Sequence, residues 1–126
     1  MYLRFTTTII DEDSGKPEGG FAAAHRLRDS GTLDSAEDAR LRELLVWFNK
    51  NLPPPPDNFD ARRAVFWFKS TSLECISRIW EMVHLLEAHG FHITVYKCRR
   101  LANCCYWDKF QVAAYPSDHD GRITIQ

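Results

Sequence analysis

Hydrophobic and polar positions are most clearly ordered over residues 64–98. There AVFWFK is an almost unbroken apolar run of strand length, STSLECISRIWEMVHLLEAHG repeats its apolar residues at helical spacing, and FHITVYKC returns to alternation. The three stretches together predict a β-α-β unit with its own core. A strand buried on both faces has the near-continuous apolar character of residues 64–68, so this strand is expected to be central in a sheet. In the helix, Leu73, Ile76, Ile79, Trp80, Val83 and Leu86 form a wide apolar face opposite Glu74, Ser77, Arg78, Glu81 and His84. Thr71 is the expected cap with Glu74 as its capping-box partner, and Gly90 the expected stop. If the two strands of the unit are sheet neighbours, the crossover makes them parallel and right-handed.

Upstream, residues 1–10 alternate as a strand with Leu3, Phe5 and Ile9 on one face, and DEDSGKPEGG ends it as a surface loop. Residues 21–29 are helical in character, closed by Ser30 and Gly31. A second helix is marked by Asp34 as cap, Glu37 at the capping-box position, and an apolar face of Leu41, Leu44, Leu45, Phe48 and Leu52. Trp47 falls beside that face. Four prolines at 53–56 stop the helix and read as a stiff connector, since each removes a donor and fixes φ. Downstream, KCRRLANCCYWDK interrupts the pattern, residues 110–115 resume a strand, residues 116–121 read as a turn, and residues 122–125 form a last short run expected to pair with 110–115 as an edge ribbon. The fold expected is therefore α/β, a single compact domain over 1–126. It has a single-layer mixed β-sheet of four or five strands packed with three helices, in the order β-α-α-β-α-β-β with a short final strand.

Composition narrows the function classes. The 126 residues are 44% hydrophobic and 26% charged with a formal charge of −1, which opposes wholesale disorder and a strongly basic nucleic-acid binder. No apolar run is long enough to cross a bilayer and no leader pattern opens the chain, so no membrane partner and a cytoplasmic location are expected. Cys75, Cys98, Cys104 and Cys105 fit reduced thiols in such a compartment. Three of them lie close in sequence, with His84, His89 or His92 available to complete a nitrogen and sulfur set, but adjacent cysteines without a C-x-x-C pair do not make a zinc site. No metal and no cofactor is assigned.

Candidate chemistry concentrates in two places. Lys69, Ser70, Thr71 and Ser72 put a cation, hydroxyls and backbone donors where a strand enters a helix, a recurrent anion-binding location, although no glycine-rich phosphate loop is present. Arg99 and Arg100, near Tyr96, Tyr106 and Trp107 and joined by Lys97 and Lys109, combine cations with aromatic faces that can stack on unpaired bases. Tyr106 and Trp107 are also candidates for a protein-interaction patch. Isolated histidines, among them His25 and His119, and the run Asp118, His119, Asp120 supply catalytic ingredients without a catalytic spacing. The leading expectation is a small protein-interaction or regulatory domain with a protein partner or a second copy. Nucleic-acid or nucleotide-phosphate binding comes second, and an enzyme with an unidentified substrate third.

Overall fold

The computed structural model describes residues 1–54, 56, 58–116 and, as backbone alone, 122–124. Its elements are β1 (Tyr2–Ile10), β2 (Pro17–Gly19), α1 (Gly20–Asp29), α2 (Ser35–Asn51), β3 (Val65–Lys69), α3 (Leu73–Ala88), β4 (Thr94–Cys98), β5 (Cys104–Trp107), β6 (Gln111–Ala114) and β7 (Arg122–Thr124). The strands form one open sheet in the order β5-β6-β3-β1-β4-β7, with β2 paired to the far half of β1. An open mixed sheet packed with three helices, in roughly the expected order, is therefore present. The mixing takes a particular form. β3 and β4 run in the same direction, as a β-α-β unit requires, but β1 is antiparallel to both and stands between them, so each described ladder is antiparallel.

Why these residues form these elements follows from local chemistry. Asp34 accepts from the backbone of Glu37 at 2.8 Å while Glu37 reaches back to the Asp34 amide at 3.2 Å, the reciprocal capping box expected for α2. Gly90, at φ +89°, ends α3: its amide donates to Glu87 and that of Phe91 to Leu86, the pair of bonds that closes a helix through a left-handed glycine. Leu3 and Phe5 of β1, Phe68 of β3, and Ile93 and Val95 at β4 meet Ala24, Leu27, Leu41, Leu44, Phe48, Ile79, Met82 and Leu86 in the main core. On the other face of the sheet Val65, Trp67 and Cys98 form a smaller core with Tyr2, Tyr96 and Leu101. Residues 99–103 leave β4 and reach β5 at the opposite edge, so they run as a strap across this face, pinned by Leu101 and by the Cys98 thiol donating to the Arg100 carbonyl at 2.6 Å.

Several expectations are corrected. Residues 17–19 are a strand, because the β1 backbone beyond Thr6 extends past β3 and offers a free ladder to the chain returning from the Asp11–Lys16 turn. Ile9 is exposed rather than in line with Leu3 and Phe5, since a register shift lies between Thr6 and Ile10. CCYW within the apparent interruption is β5. It takes the place beside β6 that residues 122–125 were expected to fill, while β7 pairs β4 at the other edge. Neither Thr71 nor Glu74 makes a capping box: α3 starts at Leu73 with Ser72 as its cap residue, and the Ser72 hydroxyl donates to the Lys109 carbonyl instead. Leu73 is exposed, and Cys75 and Met82 take core positions, because Leu73 opens the helix beyond the reach of the sheet. Pro55, residues 117–121 with Asp118, His119 and Asp120, and the end of the last predicted strand lie outside the described residues.

Candidate functional site

Two regions stand out, and the fold builds each from separate stretches of sequence. The first is the end of the sheet where β3 and β4 finish. Tyr2 has Lys69 as its partner on one side and Cys98 on the other, so the Lys69–Ser72 junction and the start of the Arg99–Arg100 strap flank the beginning of β1. The β5–β6 turn reaches the same end: the Lys69 amide donates to Phe110 at 2.8 Å and Ser72 contacts Lys109. Two candidates distant in sequence are therefore joined, with Lys109, at one end of the sheet, whereas Lys97, opposite Leu3, lies on the helix face. None of Lys69, Lys97, Arg99, Arg100 or Lys109 has a carboxylate partner among the described residues.

Not every predicted residue contributes in the expected way. The Ser70 amide donates to Met1, that of Ser72 to Lys69 and that of Leu73 to Thr71, so these donors are spent inside the junction rather than offered to an anion. Thr71 is exposed. Trp107 is 68% exposed at the sheet edge. Tyr106 is not open in the same way: its ring stacks on Phe59 at 5.7 Å and its hydroxyl donates to Asp108 at 2.6 Å. That hydrogen bond, reinforced by burial, pushes the Tyr106 hydroxyl up to about 12.

The second region lies on the helix side. β1 pairs with β3 only at Tyr2 and Leu3 and then with β2, which leaves a fork between β3 and β2. Arg4 bridges the fork, donating to the carbonyls of Phe66 on β3 at 3.2 Å and of Pro17 on β2. Above the fork opens a cleft of about 1190 Å³. Its walls are the first turn of α1, the last turns of α2 and the start of the proline connector, and its floor is Phe66, Phe68 and Gln111. Rings join these walls: Phe21 lies edge-on to Phe48 at 5.0 Å and to Phe68 at 6.0 Å. Charged residues line the cleft in both signs, Arg28 and Arg42 with Asp11 and Glu18. Arg28 is held by Asp29 at 2.9 Å, Arg42 by Asp38 at 2.9 Å, and Glu18 by Arg26.

Arg4 and Gln111 were not singled out from sequence. The only signal available was a polar residue at the head of an apolar run, QVAA, and an arginine among the apolar and threonine positions of the first strand. Neither reveals the fork that gives them their place.

The thiols and histidines are dispersed. Cys75 is fully buried, and burial pushes its thiol up to about 12, far from the thiolate a nucleophile or metal ligand needs. Burial also raises Cys105, whose thiol donates to Ala113 at 3.5 Å. None of the four cysteines is in a disulfide among the described residues. His89 sits 3.0 Å from Glu37, while His25, His84 and His92 are exposed. Among the described residues no group of three or more histidine, cysteine or acidic side chains is arranged to hold a metal ion, and no helix is long and apolar enough to cross a membrane. The chain matches no protein-family model, no curated protein and no solved structure.

Proposed function

We propose that the protein is a binding domain for an extended polyanion, received at the end of the sheet where β3 and β4 finish, in a reducing, cytoplasmic setting suited to its free thiols. The observation that carries this reading is the gathering of Lys69, Arg99, Arg100 and Lys109 at this end of the sheet, none with a carboxylate partner among the described residues. Neighbouring strands lie roughly 4.8 Å apart, so Lys69 at the end of β3 and Arg99 just past β4, separated by β1, are too widely set to close on one phosphate. A chain that carries a charge on every unit satisfies them together. Trp107 adds an exposed aromatic face near Lys109, and the phosphodiester backbone of a single-stranded nucleic acid is the chemistry that uses both features.

The test is binding of a fluorescein-labelled oligothymidylate followed by anisotropy. Reversing Lys69, Arg99 and Arg100 to Glu is expected to weaken binding roughly 100-fold while the circular dichroism spectrum is unchanged. An unaltered affinity rejects the assignment. Trp107 also supports a second reading, association with a protein partner or a second copy through an aromatic patch. The two readings separate on Trp107→Ala. Loss of oligonucleotide affinity by roughly fivefold or more supports stacking, whereas a change in sedimentation with polyanion binding intact supports the protein interface.

A further inference from the structure

The cleft on the helix side is a second site, independent of the cationic rim. We infer that it binds an amphipathic carboxylic acid, with the carboxylate between Gln111 and the first turn of α1 and the apolar chain along Phe66, Leu45, Phe48 and Leu52.

Gln111 carries the argument. Its residue is 6% exposed, yet its side-chain amide has no hydrogen-bond partner among the described residues, and it lines the cleft floor. Its backbone is fully used, the amide accepted by Asp108 at 3.0 Å and the carbonyl taken by the Asp108 amide at 2.9 Å. The carboxamide brings two donors and an acceptor to the cleft floor, and no described protein group engages them. A leucine would fill the same space against Phe68 without offering those groups to the cleft. An amide here therefore points to a polar group arriving from the cleft.

The charge at that end of the cleft selects the group. α1 begins at Gly20 with Gly19 as its cap residue, so no side chain covers the first amides, and its first turn holds no acidic residue. The carboxylate just before this start, Glu18, is already engaged by Arg26 and Thr7, and Arg4 places a guanidinium nitrogen 3.9 Å from where a Gly19 Cβ would lie, so the helix dipole and a cation act together here. A carboxylate is favoured at this end and an ammonium opposed. Phe21, in the first turn of α1, contacts Phe68, whose cross-strand partner is Gln111, so the helix start and the amide share one neighbourhood. Beyond them the lining is apolar, which suits an alkyl or aryl body.

The probe is decanoate, titrated below its micellar concentration into the full chain and followed by amide NMR, with decanol and decyltrimethylammonium as controls. Saturable shifts of the Gln111 side-chain NH2 and of the Gly20, Phe21 and Ala22 amides are expected, strongest for decanoate and weakest for the cation. Gln111→Leu is expected to weaken decanoate about tenfold and to leave decanol within about twofold. Equal binding of the cation, shifts confined to Lys69 and Arg99, or no saturable shift in the wild-type protein each overturns the inference. The wild-type titration stands even if the variant does not fold. Polyanion binding uses other residues, so either site can fail without the other.

Discussion

The helical layer and the sheet end treat their cations in opposite ways. In the helical layer Arg26 meets Glu18, Arg28 meets Asp29, Arg40 meets Glu43 and Glu81, Arg42 meets Asp38 and Arg78 meets Glu74. At the sheet end Lys69, Arg99, Arg100 and Lys109 have no such partner among the described residues. A formal charge of −1 thus conceals a local excess of positive charge. Net charge informs solubility and non-specific attraction, but it does not locate a binding surface. The pairing state of each charge does, because a cation already held by a carboxylate has less to offer an incoming anion.

The most severe way to disturb this contrast is to remove the support under the strap. Trp67 is 1% exposed and packs with Val65, Cys98 and Leu101, so Trp67→Ala is expected to cost about 3–5 kcal/mol in urea unfolding. It should also weaken polyanion binding, since Arg99 and Arg100 flank Leu101. Intact binding in the folded fraction would detach the strap from the site. The Trp67 indole Nε1 is buried without an acceptor among the described residues, which makes Trp67→Phe much milder, at most about 1.5 kcal/mol.

A smaller effect marks the helical layer. Asp34→Ala removes the side-chain acceptor of the α2 capping box, leaving Glu37 its bond to the backbone amide, and should lower stability by about 1 kcal/mol with polyanion affinity unchanged. Coupled loss of both would mean that the two regions are not separable. Smaller still near neutral pH, and growing only in alkali, is the effect of Cys75. Burial holds its proton up to about 12, against an ordinary value of 9.0, so between these values the unfolded chain releases a proton that the folded one keeps. Stability contributed by the neutral thiol is complete below pH 9 and falls as pH rises toward 12. Thermal melts at successive pH values should show that decline, attenuated in Cys75→Ala. Tyr106 adds to the same decline, its hydroxyl ionising near 12 rather than 10 because Asp108 accepts its hydrogen bond. An absorbance titration should lose its latest phase in Tyr106→Phe.

How much of this was legible in the sequence depended on how local the cause was. The α2 capping box, the glycine stop after α3 and the β-α-β unit are each written in neighbouring residues, and each is present. Capping at Thr71 failed because α3 starts one residue later, with Ser72 in the cap position and its hydroxyl donating to Lys109, 37 positions away. The strand β2 was hidden because PEG has little strand character and forms only where β1 outruns β3. The two anion-binding candidates were each visible as short basic stretches. Their union at one rim was not, because it depends on β1 inserting between β3 and β4. Gln111 was missed for the same reason, as the cleft that exposes its amide exists only once the sheet forks.

The central claim is that cations at the end of β3 and β4, without a carboxylate partner among the described residues, hold a polyanion, and its most direct measurement is the salt dependence of oligothymidylate affinity. If about four phosphates are engaged, the logarithm of the association constant should fall against the logarithm of salt with a slope near −2.8, a loss of roughly 50-fold between 50 and 200 mM. The Lys69, Arg99 and Arg100 reversal should flatten that slope sharply. Binding that does not respond to salt, or no binding at 50 mM, would contradict the account.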